Sequence, residues 1–425
     1  MWKVKIASFH LAIRNLARRD VSHNIQTFEV YILKEQTIMS LKYILIIDHI
    51  ATGGAERILV DYYHYLINKG HKVIVFCLTG QKGTSPLEEG LNVVYGAKGD
   101  EDNLLKKTWQ QFSVYQKLRK VVAEFKPDVM FSFLEKSNLL TSFVSTNATK
   151  VLTVHNVLSI QYTKIQSDKV RRVLYSMIRW MYNRCPNVVS VSQQVKDDLI
   201  SSFGINGKNI HLINNYVDRA DIKRKSEESV DNFQFKDDVK YIMNIGRFSD
   251  QKAQWKLLKA FSLYLKEAKE NVCLVLMGNG DYTEKLKQLA SDLGISDKTV
   301  FLPFNPNPYK YMAHAHLFVL SSIFEGFPIV LAEVSSLRIP FVGTRKAIPE
   351  EMFDDKTIWE QCIFDSTTLK ADFSIEIHDD ECMLAKLIRK GIEENDFRES
   401  ILKHTQGWEK NNDKSIQFEE YDKFK

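Results

Sequence analysis

From Met39 onward, short apolar runs alternate with longer amphipathic stretches. Residues 42–48 (KYILIID) read as a strand, and 53–68 repeat apolar positions at helical spacing. Gly70 and His71 then turn the chain into a second strand at 72–78. Further strand-like runs lie at 128–131, 151–154, 188–191 and 210–213, separated by helical stretches, notably 109–125 and 164–184. A polar stretch poor in apolar residues, 218–238, interrupts the series and reads as a linker. The alternation then restarts with strand 241–245, helix 252–267, strand 273–277 and helix 282–293. Strands at 300–302 and 317–320, a helix at 329–337 and a strand at 340–342 complete it. Short apolar strands alternating with helices predict parallel sheets covered on both faces, here two doubly wound α/β domains in tandem. The expected bounds are 39–217 and 218–395, followed by a polar helical tail, 396–425, with Trp408, Phe418, Tyr421 and Phe424 as scattered anchors.

Residues 1–38 follow another pattern. Trp2, Ile6, Phe9, Ile13 and Leu16 recur at helical spacing among Lys3, Lys5, Arg14, Arg18 and Arg19, with no acid before Asp20. This extension is either a basic amphipathic helix lying on a membrane or sequence upstream of a start at Met39. No secretory apolar core with a cleavage site follows. No run approaches the ~18 apolar residues of a membrane span.

Composition narrows the class. A 425-residue chain with 44% hydrophobic and 26% charged residues is not disordered, collagen-like or a coiled coil. Cys77, Cys185, Cys273, Cys362 and Cys382 form no CxxC pair, which fits a reducing cytoplasm and no disulfide scaffold or zinc knuckle. The net charge of +5 conceals an asymmetry: residues 1–215 hold 28 Lys and Arg against 17 Asp and Glu, and the remainder 30 against 36. A basic half suits a membrane surface or a phosphate ligand, unless it is uneven surface decoration. No nucleic-acid-binding spacing occurs, so nucleic acid is not an expected partner.

In open parallel sheets, ligands bind beyond the carboxyl ends of the strands, where helix N-termini collect anions. After the first strand, Gly53 and Gly54 open a helix and would let a ligand approach the backbone, or simply make a turn. In the second domain, Gly246, Arg247 and Lys252 follow the first strand. Two cations at a helix start oppose the dipole unless an anion lies between them, which points to a diphosphate clamp. Gly278 belongs to a GxG turn without the third glycine of a dinucleotide fingerprint, and no Walker A sequence exists. The densest signal is SSIFEGFPIVLAE, residues 321–333, where Glu325 precedes Gly326 and Phe327, and Glu333 falls inside the helix that Pro328 begins. Two carboxylates so spaced can meet neighbouring parts of one ligand, though acids near a helix start are also plain dipole partners. His155 ends a strand facing the inter-domain cleft, as a ligand contact or as a structural histidine. The triplet Asp100, Glu101 and Asp102 sits in a polar loop and reads as solvated, so no metal site is expected.

Together and in this order, these residues resemble the retaining glycosyltransferases of family 4, over about three quarters of the chain. The resemblance implies the GT-B fold, two Rossmann-like domains facing a central cleft that holds a nucleotide-sugar, expected here to be UDP-linked. It makes Arg247 and Lys252 the diphosphate pair, Glu333 the carboxylate for the ribose hydroxyls and Glu325 the contact to the donor sugar. Backbone amides of Gly326, Phe327 and Ile329 would hold the distal phosphate, with Gly53 and Gly54 approaching from the other domain. His155 would lie near the reacting centre. The family needs no metal and no further cofactor. The stretch from Asn307 to Ala313 is most similar to bacterial enzymes that extend glycans on undecaprenyl diphosphate, which implies a polyprenyl-diphosphate-linked or other glycan acceptor.

The chain departs from the family in three places: residues 1–38 have no counterpart, Ala253 replaces a common glycine after the lysine, and GTRKAIPEE (343–351) lacks the usual small pair before its glutamate. On the acceptor side, Lys164, Lys169, Arg171, Arg172, Arg179 and Arg184 are interleaved with Tyr175, Met177, Ile178, Trp180 and Met181. Such a helix either docks on an anionic membrane surface, making the protein peripheral on the inner face of the plasma membrane, or packs a core with a solvated basic face. A non-catalytic GT-B partner subunit and a GT-B nucleotide-sugar epimerase are the alternative functions.

Overall fold

The computed structural model describes residues 40–425 except 52, 84, 100–103 and 368. The extension 1–38 and the acidic triplet 100–102 therefore lie outside the described residues.

Seven strands build the first sheet: β1 Lys42–Ile47, β2 Lys72–Thr79, β3 Val93–Ala97, β4 Val129–Phe133, β5 Thr149–Val154, β6 Val188–Ser190 and β7 Ile210–Leu212. Six build the second: β8 Lys240–Ile245, β9 Val272–Met277, β10 Thr299–Leu302, β11 Ala315–Leu320, β12 Phe341–Thr344 and β13 Ile363–Phe364. Their orders are β3-β2-β1-β4-β5-β6-β7 and β10-β9-β8-β11-β12-β13, with parallel pairing throughout. Both are doubly wound Rossmann-type sheets. Each order reverses beside its first strand, between β1 and β4 and between β8 and β11, and there the outgoing loops part to leave a crevice. Ile44, Leu45, Ile46 and Ile47 in β1, and Ile242 and Met243 in β8, are wholly buried, as central strands covered on both faces must be.

The chain pattern foresaw the strands except β3 and β13. β3 is a half-buried edge strand and β13 has two residues, so neither presents a long apolar run. The linker expectation needs correction. Arg219–Ser226 is a helix capped by the Asp218 side chain, with Ile222 buried and its Lys225 carbonyl accepting from Asn307 (2.9 Å). A side-chain cap and one buried apolar residue hold a turn of helix that average polarity does not reveal.

The tail does not trail from the second domain. After Asn395–Asn411 the chain bridges Val217 at Asp413, and helix Lys414–Tyr421 inserts Phe418 and Tyr421, followed by Phe424, into the first domain's core beside Tyr62 and Phe131. Asp422 accepts from Lys69 (2.9 Å) and Tyr65 (3.0 Å), pinning that end.

Within the second domain, helix Gln254–Leu265 buries Lys256 against Asp380 (2.5 Å). Removing one partner of a buried pair strands the other charge. Asp380→Ala is thus expected to cost about 3–5 kcal/mol, read from the urea unfolding midpoint. A loss below roughly 1 kcal/mol would mean that the pair behaves like a surface one.

Candidate functional site

The second-domain half of the site forms where β8 and β11 lie side by side. Lys252, in the loop after β8, meets Glu325, in the loop after β11, at 2.6 Å, and Glu325 is buried. The anion beside Lys252 in the structure is Glu325 itself. Gln251 donates to the Phe324 carbonyl (3.0 Å), tying the two loops together, and Arg247 is exposed. Ala253, at the start of helix Gln254–Leu265, is in the left-handed region (φ 48°, ψ 43°), which explains why glycine suits that position. An L-residue there costs about 1–2 kcal/mol. Gly278 serves the same loop by packing: a Cβ on it would lie 2.1 Å from the Gly246 carbonyl oxygen.

Pro328 caps helix Ile329–Ser336, and Glu333 is buried in it. Glu333 Oε1 accepts from Tyr309 Oη (2.8 Å) and from Arg57 of the first domain (2.5 Å). The unusual loop 343–351 also has a structural task. Arg345 forms a two-pronged pair with Glu360 (2.9 and 2.7 Å), and the Lys346 carbonyl accepts from the Glu325 backbone N–H (3.0 Å).

The first-domain half lies at the ends of β1, β4 and β5. His155 Nε2 is 2.9 Å from Thr153 Oγ1, whose own hydroxyl donates to the Ser132 carbonyl (2.9 Å). That arrangement puts the imidazole proton on Nε2 and leaves Nδ1 as an acceptor. Burial pushes the His155 pKa down to about 4, so the ring is neutral at physiological pH. Glu135 starts the helix after β4 behind Leu134, which is held at φ 72°, ψ 162°, a region nearly confined to glycine. Tyr182 donates to Glu135 (2.6 Å) and accepts from Asn138, which also donates to the Thr153 carbonyl, so a chain of hydrogen bonds links Glu135 to His155. Burial, with a smaller push from Asp48, raises the Glu135 carboxyl to about 8 against the relief from Tyr182.

The two halves meet. Gly326 packs so tightly that a Cβ would lie 1.9 Å from the His155 carbonyl oxygen, and its own carbonyl accepts from Ser192 (2.6 Å). Asn215 donates to the Phe327 carbonyl (2.9 Å), and a Cβ on Gly54 would stand 3.0 Å from Ile329. The structure therefore brings Glu325, Lys252, Glu333, Gly326, Phe327, Ile329, Gly54 and His155 into one cleft, with Gly53 and Gly246 beside it. Sequence reasoning missed Arg57, Tyr309 and Glu135. Arg57 stands three residues after Gly54, and that nearness to the glycine pair was its one available signal.

Two Rossmann-like domains meeting at their switch points over paired carboxylates and cations define the class: a GT-B glycosyltransferase. Among solved structures, Anabaena HepE in complex with UDP aligns with a TM-score of 0.68 at 18% identity, covering 90% of this chain and 99% of that one. Residues 52–221 match Glycosyltransferase Family 4 and residues 225–406 match Glycosyl transferases group 1. The chain belongs to this family and is a hexosyltransferase. A Campylobacter jejuni N-acetylgalactosaminyltransferase, named for adding to N-acetylgalactosamine-N,N'-diacetylbacillosaminyl-diphospho-undecaprenol, is 27% identical over 73% of this chain and 83% of its own length. An uncharacterized glycosyltransferase of Methanocaldococcus jannaschii is also 27% identical, over 71% of this chain and 79% of its own.

The raised Glu135 carboxyl has a consequence for stability. The folded chain keeps a proton that the unfolded chain releases above the ordinary value of 4.5, so this group's contribution to stability is lost as pH rises towards about 8. Glu135→Gln removes that dependence. The difference in unfolding midpoint should move in the variant's favour between about pH 5 and pH 8; a flat difference would place the carboxyl in the ordinary range.

Proposed function

We propose that the chain transfers a hexosyl or N-acetylhexosaminyl group, with retention, from a UDP-sugar to a glycan acceptor on a polyprenyl diphosphate. The observation that carries this reading is the Lys252–Glu325 pair beside Glu333 at the second-domain switch point. The Campylobacter relative's undecaprenol-linked acceptor and the UDP held by HepE support the choice of substrates.

On this reading the diphosphate takes Lys252 from Glu325, with Arg247 as the second cation, and frees Glu325 for the hydroxyls of the donor sugar. Glu333 accepts from the ribose, and the amides of Gly326, Phe327 and Ile329 face the distal phosphate at a helix start. His155, neutral with Nδ1 open, accepts from a hydroxyl near the reacting carbon. As the glycosidic bond to phosphate breaks, negative charge grows on the leaving diphosphate. The incoming acceptor hydroxyl on the same face passes its proton to that phosphate. The protein lowers the barrier by holding both substrates and stabilising the growing charge. On this reading lysine and arginine supply that stabilisation.

Membrane association of the first domain belongs to the same reading. In helix Asp168–Asn183, Ile178, Met181 and Tyr182 face the core, whereas Val170, Val173 and Trp180 are exposed with Lys169, Arg172 and Arg179. Trp180 packs at a tilt against the exposed Phe143 (centroids 5.3 Å apart), and Arg184 lies over its ring (5.1 Å). Exposed aromatics among cations suit an anionic lipid surface near a lipid-linked acceptor. Among the described residues, no helix is long and apolar enough to cross a membrane.

Two measurements test the proposal. Purified protein with a panel of UDP- and GDP-sugars should release nucleotide from one donor, stimulated by bacterial lipid extract. Glu325→Ala should abolish that release and Lys252→Ala lower it about a hundredfold, the ~3 kcal/mol of one charge-stabilising group. Near-wild-type transfer by Lys252→Ala would refute the clamp. Separately, Arg172→Ala with Arg179→Ala should weaken cosedimentation with phosphatidylglycerol liposomes roughly thirtyfold, by about 1 kcal/mol per charge; unchanged binding would remove this surface from the reading.

A further inference from the structure

Glu333 is held by two side chains from different domains. Arg57 Nη1 and Tyr309 Oη both donate to its Oε1, at 2.5 and 2.8 Å, while Arg57 Nη2 donates to Tyr309 Oη (2.5 Å). The guanidinium also lies over the Tyr309 ring, 5.8 Å from its centre. The three side chains close a triangle in which every edge is a hydrogen bond. Tyr309 and Glu333 belong to the second domain and are buried, whereas Arg57 comes from the first turn of the first-domain helix Gly54–Asn68.

We propose that Arg57, acting with Tyr309, is a positioning residue that orients the Glu333 carboxylate for the nucleotide ribose. The inference rests on the reading of Glu333 as the ribose acceptor. It adds that this acceptor is completed from across the cleft. Both donors occupy Oε1, so Oε2 is the oxygen that accepts from the ribose hydroxyls. A free carboxylate on a helix samples several rotamers, and two donors converging on one oxygen select one of them before the nucleotide arrives. Arg57 itself is held by its own helix. Asp61, one turn further on, accepts from Tyr216 (2.5 Å) and Lys414 (3.0 Å), where the chain passes between the domains. Placement of Arg57 is therefore tied to the inter-domain crossing, and ribose recognition requires the two domains to be together.

The test is calorimetry of the full-length protein with UDP and with 2′,3′-dideoxy-UDP. Wild type should prefer UDP by roughly tenfold or more, as for a hydrogen bond to a charged group. In Arg57→Met that preference should fall to within about threefold, with Tyr309→Phe intermediate. A merely structural role would weaken both ligands in proportion and leave the preference intact. An unchanged preference in Arg57→Met overturns the inference, and so does tighter UDP binding, which would make Arg57 a competitor of the ribose. A wild type that binds both ligands equally removes the reading of Glu333 itself, so the two failures are told apart.

Discussion

Two carboxylates buried eight residues apart, Glu325 and Glu333, are the constraint around which the cleft is organised. A buried negative charge is tolerated only when paired and hydrogen-bonded. Each is paired from a different place: Glu325 by Lys252 from the neighbouring loop of its own sheet, Glu333 by Arg57 from the other domain. The first pair follows from sheet order, because β8 and β11 are adjacent only where the winding reverses. The second follows from the approach of the domains. Remove either cation and the segment 325–333 carries an uncompensated charge in a water-poor site.

That approach is enforced through the backbone of Gly326 and Phe327 as well as by the charged pair. Gly326 lies on the His155 carbonyl with no room for a Cβ, and Ser192 and Asn215 bind the carbonyls of Gly326 and Phe327. The chain then crosses between the domains at two adjacent points, Val217 and Asp413, which bridge each other. The aromatic end of the chain, Phe418, Tyr421 and Phe424, closes the first domain's core. A tail so buried makes the relation of the two domains a property of the whole chain and not of a flexible connector.

These arrangements explain what the sequence could reveal. Strand and helix periods are local, so the two sheets, the loops bearing Lys252, Glu325 and His155, and the helix bearing Glu333 were legible. The cations at the helix start were legible because dipole and charge act within one helical turn. Partners distant in sequence were not legible: 276 residues separate Arg57 from Glu333, and 353 separate Lys69 from Asp422. Nothing local distinguishes an arginine that pairs across a cleft from one on a helix surface. The tail's helices and aromatic anchors were legible but its docking place was not, for the same reason: the anchors at 418, 421 and 424 meet a core whose residues are hundreds of positions earlier.

Glu135 was illegible for a different reason. Its neighbours in sequence, Leu134 and Lys136, suggest only an exposed helix start. The structure holds Leu134 in a backbone region that an L-residue enters at a cost of order 1–3 kcal/mol, and that strain presents Glu135 to Tyr182. Such strain persists only where the surroundings over-determine it. Here they do: Asn138 binds Ser132, Thr153 and Tyr182 at once, joining β4, β5 and helix Asp168–Asn183. The bond from the Thr153 hydroxyl to the Ser132 carbonyl, which sets the tautomer of His155, ties the same two strands. The first domain's rim is therefore held by hydrogen bonds on the side the proposal gives to the acceptor, while the proposal has the second domain's charged loops exchange partners for the nucleotide. The proposed retaining transfer uses that division, because the acceptor hydroxyl has to be aligned when charge develops on the departing diphosphate.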